Sequence, residues 1–159
     1  MTPLRSFLGL VVWLAVCFGA AAIGSLFTGA SVGSWYQSLK RPAWTPPNWL
    51  FGPVWTLLYA MMAVAAWLVW RRAGLAAAAL PIALFALQLA FNVGWSALFF
   101  GLHRPGPAFA EIVALWALIL ATLLTFWRVS APAGALLVPY LLWVTFAACL
   151  NFAIWRMNA

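Results

Sequence analysis

Five stretches of the 159-residue chain stay apolar long enough to cross a bilayer as helices, for which about 20 residues are needed. They run from about Leu4 to Phe27, Phe51 to Trp70, Leu75 to Phe100, Pro107 to Trp127 and Gly134 to Trp155. Polar breaks separate them: Arg71 and Arg72 after the second, Gly101 to Pro107 after the third, Arg128 to Pro132 after the fourth. Pro53 and Pro107 fall in or near first turns, where a missing N–H costs nothing, whereas Pro139 lies deeper in the fifth span and predicts a kink. The first span, with Arg5 ahead of it and Ala20, Ala21 and Ala22 near its end, has some likeness to a secretory signal, and Leu14 to Cys17 weakly resembles a lipoprotein box. Its apolar run exceeds a typical signal core, so an uncleaved helix is expected. The pattern predicts an all-α integral membrane bundle: a single domain over 1–159 with five transmembrane helices and one long structured loop, 28–50, between the first two.

Composition narrows the function classes. Apolar residues make up 68% of the chain and charged residues 6%, against roughly 45–50% and about 25% in a soluble domain. A water-soluble globule and a disordered chain are both excluded. Two cysteines make no disulfide scaffold. Glu111 is the sole acid, which excludes paired-carboxylate hydrolysis, a carboxylate metal cage and a multi-acid proton relay. His103 is the sole histidine, which excludes a multi-His metal site. No metal and no resident cofactor are therefore expected. The net charge is +7, but the basic residues stand singly or in pairs at span ends, as interfacial anchors do, so no nucleic-acid partner is expected. Arg5, Arg71, Arg72 and Arg128 lie on one side, Lys40, Arg41, Arg104 and Arg156 on the other, and this tie leaves orientation unassigned. An odd span count without an internal repeat argues against an inverted-repeat transporter. Glu111, one turn into the fourth span, is expected near the interface, paired or protonated. Cys17 and Cys149 read as mid-span packing residues and His103 as a structural or surface residue.

The aromatic residues change the picture. Twelve Trp accompany 12 Phe and 3 Tyr. Interfacial belts account for some Trp, but not for those in mid-span or crowded into one loop. Connections between packed helices usually take about 2–8 residues; the segment from Thr28 to Leu50 is far longer and carries Trp35, Tyr36, Lys40, Arg41, Trp44 and Trp49. Long connections of this kind serve as lids or binding elements. Ser34 is a candidate cap for a short helix through Lys40, ended by Pro42, with Pro46 and Pro47 stiffening the descent into the second span.

Helical periodicity sorts the spans into faces. On the third, Ala83, Ala86, Ala90 and Gly94 form a small-residue stripe suited to close helix contact, within the monomer or across a dimer. Gln88, Asn92, Trp95 and Phe99 lie opposite. The second span aligns Trp55, Tyr59, Met62 and Ala66, and the fifth aligns Tyr140, Trp143, Ala147, Asn151 and Ile154. Three mixed stripes under an aromatic loop read as a cavity for a large flat apolar molecule, met by rings and oriented by a few amides. Lys40 and Arg41 at its rim are candidates to pair with ligand carboxylates. The competing reading is that the rings only fill the core and the amides only hold helices together.

The pattern Trp35-Tyr36-x-x-Leu39-x-x-Pro42-x-Trp44-x-Pro46-Pro47-x-Trp49-x-Phe51-x-Pro53-Val54-Trp55-Thr56 resembles the first-loop signature of the tryptophan-rich sensory protein/translocator protein family, also called the peripheral-type benzodiazepine receptor family. Gln88-Leu89-x-Phe91-Asn92-x-x-Trp95 is similar to its third-helix motif. Val138-Pro139-Tyr140-x-x-Trp143, followed by Leu150-Asn151-Phe152, is similar to its fifth. The resemblance runs in order along nearly the whole chain. It implies a five-helix bundle, usually a homodimer, here through the third helix, that binds porphyrins, sterols and synthetic benzodiazepine-site ligands as sensor, buffer or transporter. Carried onto this chain, it implies ligand contacts from Tyr36, Pro46, Phe51, Trp55, Tyr59, Asn92, Trp95, Trp143, Phe146 and Ala147. It also implies an alternative, an enzyme degrading protoporphyrin with light and oxygen, since Trp55 and Trp143 match the two Trp linked to that activity. A third reading is a regulatory membrane partner without a small ligand. Phe152 stands where the family's sterol-recognition pattern needs Tyr between Leu150 and Arg156, so that pattern fails in its strict form. Seven Arg to one Lys among abundant Ala, with no Arg- and Ser-rich presequence, points to a bacterial cell membrane.

Overall fold

A computed structural model describes residues 2–159. The described residues form helices α1 (Pro3–Val32), α2 (Trp35–Ser38), α3 (Asn48–Ala77), α4 (Ala79–Ser96), α5 (Pro105–Val129) and α6 (Ala131–Asn158), with a π-helical turn at Ala97–Gly101 prolonging α4. Five are long and apolar enough to cross a membrane: α1, α3, α4 with its π turn, α5 and α6. The chain is an integral, multi-pass membrane protein. Large apolar side chains such as Leu4, Phe7, Leu26, Leu57 and Leu142 face outward, where lipid rather than water is the solvent.

The helix ends depart from the sequence reading in instructive ways. α1 continues beyond Phe27 to Val32, and α3 begins at Asn48 rather than Phe51, so the crossover shortens to 33–47. Small hydroxyl residues do not stop α1, because they bond one turn back: Ser25 Oγ donates to the Ala21 carbonyl (2.9 Å), and Thr28 Oγ1 to that of Gly24 (3.2 Å). Ser34 does the same toward Ala30 instead of capping, and α2 is one short turn ending at Ser38, not Lys40. Arg71 and Arg72 do not end α3 either. Arginine is a good helix former whose charge reaches the interface on its long stem. The turn falls at Gly74, whose φ of +74° belongs to the region that glycine enters without a Cβ penalty. α6 runs without interruption through Pro139.

The long helices close a ring in the order α1, α3, α6, α5, α4 and back to α1. The half nearer the start of α1 is solid. There Met62, Ala63, Ala66 and Val69 of α3 pack against Phe85, Ile119, Phe126 and Leu137. The alanines let the backbones approach closely. In the other half a smaller cluster, including Tyr36, Phe99, Phe100, Leu150 and Ile154, lies beneath the crossover. Cys17 is buried, whereas Cys149 is on the outer surface rather than in the packing. Ala83, Ala86 and Ala90 are exposed on the outer face of α4, so the monomer itself does not use them. Gly94 differs: Glu111 Oε1 would lie 3.3 Å from a Cβ placed there.

Candidate functional site

The bundle half beneath the crossover holds a cavity of about 590 Å³, within the range of about 300–1,000 Å³ usual for small-molecule sites. One face of α3 supplies Phe51, Trp55 and Tyr59, residues spaced so that successive turns present rings to the same side. α6 supplies Trp143, Ala147, Leu150, Asn151 and Ile154, and α4 supplies Asn92, Trp95 and Ser96. The π turn adds Phe99 and Phe100. α1 contributes small residues and Phe18, and Tyr36 of α2 forms part of the roof. No residue of α5 lines the cavity.

The rings meet mostly edge-on. Phe51 lies 6.0 Å from Trp143 at 68°, and Trp55 lies 6.3 Å from Tyr140 at 72°. Trp95 and Phe99 stack at 5.3 Å. Such contacts hold the aromatic walls in place without a ligand. Tyr36 is buried against Phe99 and Phe100, and the Arg41 guanidinium lies 4.8 Å from its ring centre. Burial pushes the Tyr36 hydroxyl above its ordinary range, and the neighbouring Arg41 charge draws it partly back.

The amides are committed to the protein. Tyr59 Oη donates to Asn92 Oδ1 (2.7 Å), Asn92 Nδ2 donates to Tyr140 Oη (2.8 Å), and Tyr140 Oη donates to Gln88 Oε1 (2.7 Å). Trp95 Nε1 donates to Asn151 Oδ1 (2.9 Å), whose Nδ2 donates to the Pro105 carbonyl (2.7 Å). These bonds tie α3, α4, α6 and the start of α5 together. The amides expected to orient a ligand are thus bonded between helices, as in the competing reading. Among the described residues, the buried side-chain polar atoms without a hydrogen-bond partner are the two carboxylate oxygens of Glu111 and Trp143 Nε1. Of the two states expected for Glu111, paired or protonated, the structure shows no partner for the first. Trp143 is the one of these two residues that lines the cavity.

The cavity is open sideways. Ala22, Ser25 and Gly29 of α1, and Gly52 and Thr56 of α3, line it and are also exposed on the outer surface. This window opens on the outer side of the bundle, between α1 and α3. At the opposite end the same helices are joined, with Trp67 Nε1 donating to the Ser6 carbonyl (2.8 Å). The roof is anchored by His103, which stacks on Trp35 at 4.2 Å while its Nε2 lies 2.9 Å from Ser31 Oγ. Ser31 Oγ in turn donates to the Phe100 carbonyl (2.6 Å).

Of the ligand contacts implied by resemblance, Tyr36, Phe51, Trp55, Tyr59, Asn92, Trp95, Trp143 and Ala147 are brought together in the wall. Pro46 is not; it lies in a shallow depression of about 820 Å³ on the outer side of the crossover, with Arg41. Phe146 stands behind the wall, between Trp44 (5.7 Å) and Trp143 (5.4 Å). Lys40 and Arg41 do not reach the cavity: Asn158 pins the Lys40 backbone through two hydrogen bonds, and Arg41 is engaged on Tyr36. The α1 wall was missed, although Ala21, Ser25 and Thr28 recur at helical spacing as a small, partly polar stripe.

Residues 12–156 match the TspO/MBR family. The chain is 44% identical to Protein CrtK of Rhodobacter capsulatus over 92% of this chain and 91% of that protein. It is 43% identical to the Tryptophan-rich protein TspO of Chlorobaculum tepidum, over 97% and 98% respectively. It is 38% identical to the human Translocator protein, over 86% and 82%. Bacterial relatives of this kind fit a bacterial membrane.

Proposed function

The chain belongs to the TspO/MBR family, and on that premise we propose that it binds a large, flat, mostly apolar molecule of the porphyrin or tetrapyrrole class and acts as a sensor, buffer or transporter of it. The observation that carries this reading is the aromatic cavity of about 590 Å³, walled by rings from three long helices. Rings from α3, α4 and α6 offer faces and edges to a planar macrocycle. The wall contains no charged side chain. Affinity then rests on apolar contact and not on ion pairing, so porphyrin carboxylates are left to the window and the membrane interface. The window between α1 and α3 gives a ligand dissolved in lipid a way in without crossing the roof.

A second reading is favoured by Trp55 and Trp143 sharing one wall. With light and oxygen, a bound porphyrin beside two oxidisable indoles is degraded rather than only held. Titration of the purified protein with protoporphyrin in the dark, then under illumination, separates the readings. Saturable quenching of Trp fluorescence in the dark, with a stable Soret band in light, supports the binder. Loss of the Soret band in light, abolished in Trp55→Phe or Trp143→Phe, supports the enzyme. Absence of saturable quenching refutes both and leaves a protein that acts on membrane partners. We also propose a homodimer through the outward stripe Ala83, Ala86 and Ala90; Gly94, turned toward Glu111 within the bundle, is left out of it.

A further inference from the structure

A second, smaller hollow lies at the opposite end of the bundle, between the first turns of α1 and the last of α3. It measures about 290 Å³ and shares no lining residue with the aromatic cavity. Its floor is Trp70, laid on the α1 backbone at Gly9, where any Cβ would overlap the indole. Leu8 and Val12 of α1 form one wall and Leu75 the other, all three more than half exposed. Leu75 reaches the groove because the chain turns at Gly74. Arg5 stands at its mouth. The frame around it is fixed: Trp67 Nε1 donates to the Ser6 carbonyl, and the Arg71 guanidinium lies 4.4 Å over the Trp67 ring.

The electrostatics of this end are one-sided. Arg5, Arg71, Arg72 and Arg128 all lie here, because they occupy the first turns of α1 and the last turns of α3 and α5. The only acid of the chain, Glu111, is near the start of α5, toward the other end. No side chain of the protein can neutralise these guanidiniums. In a membrane the groove itself takes hydrocarbon, since its walls are apolar. Its length from Arg5 to Val12 is about 10 Å at the helical rise, enough for the upper part of an acyl chain lying below the headgroup. Guanidinium recognises phosphate with two parallel hydrogen bonds.

We propose that this groove binds one phospholipid of net negative charge, its acyl chain against Trp70, Val12 and Leu75 and its phosphate on Arg5. The site is independent of the aromatic cavity and of what that cavity holds. A zwitterionic lipid fits the groove equally well but brings its own cation to the arginine cluster, so the discrimination lies in the headgroup.

The test is native mass spectrometry of the full-length protein, released from micelles containing equal amounts of phosphatidylglycerol and phosphatidylcholine. Retention of one phosphatidylglycerol with a preference of about fivefold is expected, the factor that one interfacial cation supplies. Arg5→Gln is expected to bring the preference near unity, while Arg72→Gln, which changes the net charge equally from outside the groove, leaves it standing. Leu75→Asn is expected to lower retention of both lipids. Excess glycerol phosphate is expected not to displace the bound lipid. Equal retention of both lipids by the unaltered protein overturns the proposal. So does an equal loss in Arg5→Gln and Arg72→Gln, which marks diffuse surface charge, and so does displacement by glycerol phosphate, which marks a site for phosphate alone.

Discussion

Replacing Asn92 by Leu tests whether the cavity's amides serve the fold or the ligand. Asn92 is buried, accepts from Tyr59 Oη at 2.7 Å and donates to Tyr140 Oη at 2.8 Å. Leucine keeps the branched four-atom shape, in a somewhat larger volume, and removes both bonds. Tyr140 still donates to Gln88, so it loses one accepted bond, worth about 0.5–1.5 kcal/mol. The Tyr59 hydroxyl loses its acceptor in a buried place, which costs about 1–3 kcal/mol. Hydrogen bonds between transmembrane helices run weaker, averaging about 0.6 kcal/mol with a maximum near 1.7, because the membrane-embedded unfolded chain finds other partners. The lower ends of the ranges therefore apply, and a total of about 1.5 kcal/mol is expected. The decisive quantity is the coupling. In Tyr59→Phe combined with Asn92→Leu no stranded hydroxyl remains, so the double variant is expected to be about 1 kcal/mol more stable than the two single losses added together. Unfolding by detergent titration, followed by circular dichroism, reads all four corners of the cycle. Additivity within about 0.3 kcal/mol refutes the reasoning. So does an Asn92→Leu protein of unchanged stability whose porphyrin affinity is lost, since that is the signature of an amide reserved for the ligand.

The remaining expectations concern the cavity, its entrance and the outer face. Trp143→Phe removes an N–H that has no partner and trims one ring of the cavity wall, so unfolding stability is expected to stay within about 0.5 kcal/mol while porphyrin affinity falls about fivefold, the worth of about 1 kcal/mol of ring contact. A stability loss with unchanged affinity contradicts it. Thr56→Trp places a large ring at the rim of the window and is expected to slow both binding and release about tenfold in stopped-flow quenching, with Kd nearly constant, a barrier increase of about 1.4 kcal/mol. Unaltered rates place the entrance elsewhere. Ala86→Phe and Ala90→Phe are expected to shift the protein from dimer to monomer in light-scattering measurements, because a small-residue contact has no room for a ring; a wild type that is already monomeric disproves the α4 interface.

How far the sequence could be read depends on which physical signal each feature leaves. Helix number and class were legible because bilayer thickness imposes a length and an apolarity that few other structures share. The faces of α3 and α6 were legible because Trp55, Tyr59, Trp143 and Ala147 repeat at helical spacing. The end of α3 was not, because two arginines look like a boundary although the backbone turns at Gly74. Nor was the π turn that carries Phe99 and Phe100, whose extra residue breaks the period used to find helix faces. Lys40 and Arg41 were assigned to the ligand from charge alone. Charge says nothing about which side of the crossover a residue occupies, and the structure leaves Lys40 exposed and lays Arg41 on the Tyr36 ring, neither of them lining the cavity. The part of α1 in the wall leaves little signal, since small residues mark a close helix contact and an open window equally well.

That ambiguity of small residues points to how the bundle divides its work. On α3 the alanines Ala63, Ala65 and Ala66 draw helices together in the solid half, while Gly52 and Thr56 on the same helix border the window in the hollow half. α1 shows the same switch, from Gly9 pressed against Trp70 to Gly29 with nothing near it. A hollow half loses packing, and a protein in lipid cannot recover that loss by burying apolar surface from water. The polar chain Tyr59, Asn92, Tyr140 and Gln88 stands where the two halves meet, and the His103, Ser31 and Trp35 contacts hold the roof. The network supplies directional cohesion where packing ends, which leaves the rings above it free to face a ligand instead of one another. A substitution that fills the cavity with apolar volume is therefore expected to strengthen the fold as it removes the site, and a protein that gains no stability when Ala147→Leu fills the wall would show that the hollow is not the weak part of the bundle.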